Sequence, residues 1–466
     1  MINYHKENGL AGRKELCRRL AVLAGAAVLA FGSSFAAFAE EPVRGGDTME
    51  TAVLVPAFPE GNQSTAENAG ESQNAAGTEE TAGAANRIIR IEQNAASSES
   101  QQSTGTSSGI DYSAGPGAFM QSGGSESSQS QQAEDQTGLQ SNAQIYDVQN
   151  PIVQTVEKYS YDQMVRDINS LKARYGNKIQ VNTIGTSLDG RAIYDCIVGN
   201  VNASKHILIQ GGIHGREYLN PMLLMQQMEL ALANYDTGSF NGNSLSSMFS
   251  QVAVHFVPMT NPDGITISQF GPDLLNSQEL KDTVSTCYVM DTAAGRTTAD
   301  TAGYFSKWKA NARGVDLNLN FDALWDQVSS TEFPSYSGYK GTAPGTEPEA
   351  QALMNLYHNS QYNWKAVIHY HSMGDVIYWD IAGNKVQQES SDLANLMSVV
   401  TGGYRILPSE GGGGYKDWIQ LSSHPVPSVT LETGKVACPM PLSEYSTIWS
   451  QNRLTWVVTM EWVAAR

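Results

Sequence analysis

His214 and Glu217 lie three residues apart in Gly211-Gly212-Ile213-His214-Gly215-Arg216-Glu217, and His371 lies far down the chain before Ser372. One turn of chain can aim a histidine and a carboxylate at this spacing toward a single point. A third nitrogen from a distant strand would complete a three-ligand site with one position open. That donor set is the one expected of a catalytic zinc rather than a structural one. His371 is the expected third ligand. His369, two residues earlier and on the same face of an extended segment, competes with it. The bare His-x-x-Glu pair reads most simply as a surface turn; the flanking glycines and the distant histidine turn the balance toward metal. One zinc per chain is therefore the expected cofactor. Glu432, at the end of the apolar run Val429-Thr430-Leu431, is the expected general base. A carboxylate buried there without a task would be costly. Beside a zinc-activated water it could remove a proton and pass it to a leaving amine.

The elements that must position these groups can be read from periodicity. Short apolar runs at 206–210, 252–258, 366–370, 376–379 and 428–431 read as strands. Four of them run directly into polar groups: His214 and Glu217, Asn261-Pro262-Asp263-Gly264, His371-Ser372, and Glu432-Thr433-Gly434. Between them, 159–175 places Met164, Ile168 and Leu171 on one helical face, and 221–235 reads as a long apolar-faced helix. Strands alternating with helices predict an α/β domain with a largely parallel or mixed sheet between helical layers. In such sheets, sites form at the carboxyl ends of the strands. The Asn-Pro-Asp-Gly segment is itself a strong turn signal, and Asp263 is read as turn chemistry.

Taken together, these residues resemble the zinc carboxypeptidases of the carboxypeptidase A type over nearly all of 155–466. The resemblance rests on Gly185-Thr186-Ser187 with Asp189-Gly190-Arg191, on His214-x-x-Glu217, and on Asn261-Pro262-Asp263-Gly264. It rests further on Gly314-Val315-Asp316-Leu317-Asn318, Glu347-Pro348-Glu349, His371-Ser372 and Glu432-Thr433-Gly434. It implies a mixed, mostly parallel eight-stranded sheet flanked by helices, one zinc, and peptide hydrolysis. By matching position, Asp316 is implied to orient His214, and Asn318 to contact substrate. The role of polarising the scissile carbonyl falls by resemblance to Lys309, with Arg313 as competitor. Tyr415, on the loop Gly413-Gly414-Tyr415-Lys416-Asp417-Trp418, is the candidate to replace the family's substrate-binding tyrosine. One departure bears on specificity. Exopeptidases of the family follow the Asp-x-Asn with an arginine that grips the substrate's terminal carboxylate, and here Leu319 stands in its place. The segment Trp308–Arg313 resembles the bacterial branch that cleaves γ-D-glutamyl–diamino acid bonds in peptidoglycan stem peptides. That branch gives the expected substrate; removal of C-terminal residues from ordinary peptides is the alternative.

The remainder of the chain sets the context. Arg13, Lys14, Arg18 and Arg19 precede an apolar run from Leu20 to Phe31, and Ala37-Phe38-Ala39 ends it, the pattern of a secretory signal over 1–39. Residues 40–144 are rich in Ser, Gln, Gly, Ala and Glu and poor in aromatics, and read as a disordered tether. Residues 145–466 are expected to form the catalytic domain. The expected location is secreted or associated with the cell wall, with no membrane span after signal cleavage. Net charge is −18, and the tether carries −12 of it. No basic surface points to nucleic acid. Of four cysteines, Cys196, Cys287 and Cys438 follow the signal and match no zinc-binding spacing.

Overall fold

The computed structural model describes residues 142–409 and 411–466; the expected signal peptide, and the expected tether through residue 141, lie outside the described residues. The sheet strands are β1 (Ile179–Thr186), β2 (Ala192–Val198), β3 (Lys205–Gln210), β4 (Val252–Val257), β5 (Trp364–His371), β6 (Val376–Tyr378), β7 (Arg405–Leu407) and β8 (Ser428–Glu432). They form one eight-stranded sheet in the order β7-β6-β8-β5-β3-β4-β2-β1. The four central strands β8, β5, β3 and β4 run parallel, and β2 and β6 flank them antiparallel. The sheet is thus mixed and mostly parallel, as the resemblance implied.

Helices cover both faces. On one side lie α1 (Tyr161–Tyr175), α2 (Leu219–Ala233), α5 (Gln387–Val400) and α7 (Thr455–Ala464); on the other lie α4 (Pro348–Tyr357) and α6 (Tyr415–Leu421). Helix α3 (Pro262–Phe270) starts just beyond β4. Side chains alternate along a strand, so Ile207 and Ile209 of β3 enter the first core and Leu208 enters the second. Each such side chain, fully buried, contributes roughly 1.5–3 kcal/mol. Helix α1 begins where Ser160 Oγ accepts from Gln163 N at 3.2 Å, and its Met164, Ile168 and Leu171 are buried as the periodicity predicted. Helix α2 is buried nearly all round rather than on one face, and its polar residues bond to neighbouring elements inside. Gln227 donates to the Asn452 carbonyl at 2.7 Å, and Glu229 accepts from Ile152 N and Val153 N at 2.7 and 2.9 Å. Among the described residues no helix is long and apolar enough to cross a membrane.

Three strands escaped the reading of periodicity. β1 and β2 form an edge hairpin, and β1 mixes polar and apolar residues because it is exposed in part. β7 has only three residues. The turn reading of Asn-Pro-Asp-Gly is corrected: the segment starts α3, with Pro262 at its first position and Asn261 Oδ1 accepting from Gly264 N at 2.8 Å. Asp263 does more than turn chemistry. It is fully buried and accepts from Ser187 Oγ, Asp189 N and Arg191 Nη1 at 2.8, 2.9 and 2.8 Å. It thereby ties the β1–β2 hairpin to α3.

Glu349 in the first turn of α4 is buried beside this brace, accepting from Asn311 Nδ2 at 3.2 Å and Leu188 N at 3.3 Å. Burial, and then the nearby Asp263 carboxylate, push its pKa from 4.5 to about 8. A carboxyl that is neutral when folded and ionised when unfolded favours the fold most at low pH. That advantage is lost as pH rises from 4.5 through about 8. Between about pH 6 and 9, stability should fall by on the order of 2 kcal/mol through this group. Urea unfolding of Glu349→Gln should show that part of the decline removed.

Candidate metal centre

The loop between β3 and α2 carries His214 and Glu217, and its glycines are required where they stand. Gly212 holds φ +63°, and a Cβ at Gly215 would collide with the Gly264 carbonyl and lie 2.7 Å from that of Trp308. Asn261 closes the loop from below. Its Nδ2 donates to the Ile213 and Ala310 carbonyls, both at 3.0 Å, and its N–H donates to Gly212 O at 2.8 Å. His371 ends β5, directly opposite Glu432 in the parallel register of β5 with β8.

These elements bring His214, Glu217 and His371 together, all three buried, with one ligand atom of each within 4.8 Å of the others. His214 Nδ1 lies 2.9 Å from Glu217 Oε1 and 3.2 Å from His371 Nδ1, and His371 Nδ1 lies 3.4 Å from Glu217 Oε2. Zinc bonds of about 2.0–2.2 Å would require ligand–ligand edges of about 3.3–3.6 Å in a tetrahedron. The two longer separations are close to that, and the carboxylate can adjust the shortest. His369 is not part of the cluster. Its Nδ1 lies 3.2 Å from Gln210 Oε1 one tier down the strand.

Around the ligands stands a shell that fixes them. Asp316 Oδ1 lies 3.2 Å from His214 Nε2, an ion-pair distance outside hydrogen-bond alignment, and Asp316 Oδ2 accepts from Gly338 N at 3.1 Å. Ser372 N donates to Glu217 Oε2 at 3.2 Å. The hydroxyls of Ser372 and Thr433 and the Asn220 amide form a buried network, with contacts of 2.9, 3.0 and 3.2 Å, that locks β5, β8 and α2 together. Such partners orient ligands and set their basicity.

Electrostatics divides the carboxylates. Burial would raise Glu217, but the His214 and His371 imidazoles hold it well below the usual range. Asp316 is likewise driven down against its burial by Lys309 and His214. Glu432 goes the other way: burial, aided by the Glu217 charge, pushes it up to about 7 despite His371, Lys309 and Arg216.

A family model described as "Zinc carboxypeptidase" matches residues 164–455. The chain belongs to the zinc carboxypeptidase family. It is 32% identical over 305 residues to the gamma-D-glutamyl-L-diamino acid endopeptidase 1 of Lysinibacillus sphaericus, covering 64% of this chain and 72% of that protein. It is 24% identical over 220 residues to the mast cell carboxypeptidase A of Rattus norvegicus, covering 47% of this chain and 46% of that protein. Among solved structures, thrombin activatable fibrinolysis inhibitor shares the fold, with a TM-score of 0.54, 19% identity, and coverage of 72% of this chain and 80% of that one. The chain is a zinc metallopeptidase, and the His–Glu–His cluster could hold that metal.

The other sequence candidates are placed unequally. Lys309 Nζ lies 3.2 Å from Asp316 Oδ2 and acts on the charge of Glu432, so it stands at the centre. Arg313 is about half exposed and lies 3.5 Å from Glu347, with no contact to the cluster. Asn318 Oδ1 accepts from Tyr415 N at 3.2 Å and is partly exposed. Tyr415 is not on an exposed loop. It is 1% exposed, its hydroxyl donates to the Leu353 carbonyl at 3.1 Å, and it stacks against Trp418 in the second core. The structure therefore does not bring Tyr415 to the metal cluster. Arg216 was missed: it lies between two ligands in sequence and its charge acts on Glu432. A basic residue inside the His-x-x-Glu motif was the available signal. The three cysteines of the described residues are all free.

Metal analysis of the purified protein should give about one zinc per chain. His371→Ala should lose it and His369→Ala should keep it. Asp316→Asn should weaken zinc affinity roughly 10–100-fold, read by chelator competition.

Proposed function

We propose that the chain hydrolyses the γ-D-glutamyl–diamino acid amide bond of peptidoglycan stem peptides, outside the cytoplasm. Leu319 carries the reading. It follows Asp316-Leu317-Asn318 where exopeptidases of the family keep a carboxylate-gripping arginine, and an aliphatic side chain cannot make that bidentate contact. A site without that cation has no means at this position to demand a terminal α-carboxylate. The name of the Lysinibacillus relative supports the same bond class. The basic, apolar and small-residue succession over 13–39 supports export, and with it access to the cell wall.

His214, Glu217 and His371 would hold the zinc. When bound, zinc supplies a Lewis acid and lowers the pKa of water at the open position. Glu432, opposite His371, takes the proton of the attacking water. It holds that proton until the C–N bond breaks and then delivers it to the departing amine nitrogen. Burial raises its pKa and a bound dication would lower it, and the balance of the two sets how readily it accepts and later releases the proton. Lys309, steadied by Asp316, faces the negative charge that develops on the carbonyl oxygen.

Glu432→Gln should retain zinc and lose about 10²–10⁴-fold in rate. Loss of metal together with activity would make Glu432 a structural residue instead. The substrate reading is tested by mass analysis of products and by kcat/KM on paired stem peptides, one with a free terminal carboxylate and one amidated. Blocking should cost little, and γ-D-glutamyl–diamino acid peptides should be preferred to ordinary C-terminally free peptides. A drop of about two orders of magnitude on blocking, with ordinary peptides preferred, would make the protein a plain carboxypeptidase whose anchoring cation lies elsewhere.

A further inference from the structure

Residues 336–339 hold two groups of the centre through main-chain bonds. The Tyr336 carbonyl accepts from Lys309 N at 2.9 Å and from Ala310 N at 3.0 Å. Gly338 N donates to Asp316 Oδ2 at 3.1 Å, and Asp316 N donates to the Tyr339 carbonyl at 2.7 Å. Peptide units are rigid planes, so a shift of this loop carries Lys309 and Asp316 with it. The loop has no helix or strand of its own between residues 328 and 347. Connecting segments of this kind move unless something ties them down.

The tie comes from a helix outside the centre. Gln278–Ala293 lies in the long segment between α3 and Lys309. Ser277 caps it, accepting from Leu280 N at 3.3 Å. Asp189 accepts from Asn276 N and Ser277 N at 2.7 and 2.8 Å, which fixes the start of the helix to the hairpin brace. The buried face of the helix is Val284, Cys287 and Asp291. Val284 and Cys287 enter a small apolar cluster with Trp308 and Ala310, the two neighbours of Lys309. Asp291 is fully buried and reaches the loop directly. Its carboxylate accepts from Ser335 Oγ at 2.8 Å and from Tyr336 N at 3.2 Å. It also accepts from Tyr304 Oη at 2.7 Å and from Arg296 Nε at 2.8 Å. Arg296 Nη2 adds a bond to the Ser337 carbonyl at 3.0 Å. A buried carboxylate needs such a set of donors, and here two of them belong to the loop.

We infer that Asp291 is a positioning residue for hydrolysis, an inference that rests on the parts given above to Lys309 and Asp316. Through the loop it sets Lys309 against the scissile carbonyl and Asp316 against His214. Its own charge stays one loop behind both. Asparagine has the same shape and cannot replace it. One carboxylate oxygen faces Arg296 Nε and the other faces Tyr336 N. Whichever way an amide lay, its NH2 would meet one of these fixed N–H donors, and the loop or the arginine would have to give way. Ser335 is the weaker link of the same chain, since its hydroxyl spans both oxygens of Asp291 at 2.9 and 2.8 Å.

The test uses the full zinc-saturated chain and whichever peptide it cleaves, γ-D-glutamyl or ordinary, so that a failure of the substrate reading leaves the comparison intact. Asp291→Asn should lose roughly 10–100-fold in kcat with little change in KM, the cost of a misplaced group at the reacting centre. Ser277→Ala, at the far end of the same helix, should lower Tm and leave kcat unchanged. The loss in Lys309→Met with Asp291→Asn should be well below the product of the two single losses, since the second change has little left to displace. Wild-type kcat in a folded Asp291→Asn overturns the inference, as do multiplying losses in the double variant or an equal kcat loss in Ser277→Ala. If Lys309→Met alone has no effect, the part given to Lys309 fails and zinc affinity decides. Asp291→Asn should then still weaken zinc in chelator competition and add nothing to Asp316→Asn; an unchanged affinity overturns the inference. Should Asp291→Asn not fold, Ser335→Ala carries the same comparisons, with a kcat loss of roughly tenfold expected and none overturning it.

Discussion

Three carboxylates, the buried Glu217 and Asp316 and the partly buried Glu432, meet at the carboxyl edge of the central strands, and their mutual repulsion must be answered by cations. His214, His371, Lys309 and Arg216 answer part of it. The imidazoles and Lys309 are enough to keep Glu217 and Asp316 ionised, but Glu432 is left near neutrality. A divalent ion held by His214, Glu217 and His371 would supply the missing positive charge, and its field would draw Glu432 downward as well. A surplus of negative charge of this kind suits a site that holds a dication.

The backbone around this edge is arranged to keep those charges from relaxing away from one another. Asn261 caps α3 and grips the carbonyls of Ile213 and Ala310, so one buried amide joins the ligand loop to the segment that carries Lys309. Gly215 then passes so close to Gly264 and Trp308 that no side chain could stand there. Asp263, Arg191 and Asp189 secure the same region from the hairpin side. Most residues of the motifs that identify the family thus brace the site, and few of them belong to the His214–Glu217–His371 cluster. Sites held by such packed, hydrogen-bonded supports keep their geometry better than sites on free loops.

This division explains what could be read from the chain beforehand. The parallel core was legible because β3, β4, β5 and β8 are apolar runs buried on both faces that end abruptly in polar residues. His214, Glu217, His371 and Glu432 were legible because each stands at such an end. The β1–β2 hairpin was not, since an edge strand exposed on one side mixes polar and apolar residues. Arg216 was overlooked because its role depends on distance to Glu432, which spacing does not encode. Tyr415 misled because a run of glycines just before a tyrosine suggests an exposed loop. In fact Gly414 precedes the first residue of α6, and the aromatic ring turns inward against Phe321 and Trp418. Lys309 and Arg313 could be separated only by seeing which carboxylate each one meets.

Two tiers of facing side chains on β5 and β8 depend on one register. His371 pairs with Glu432 and His369 with Thr430 because the strands are aligned at that offset and no other. A slip of one residue would turn both tiers to the opposite face at once. The register is held above by the Ser372–Thr433–Asn220 network and below by Gln420, which donates to the Ser428 carbonyl at 2.8 Å and the Trp379 carbonyl at 2.7 Å. The second clamp lies in the helix that carries Lys416. That helix packs on the face of the sheet opposite α2, so β8 is held from both layers.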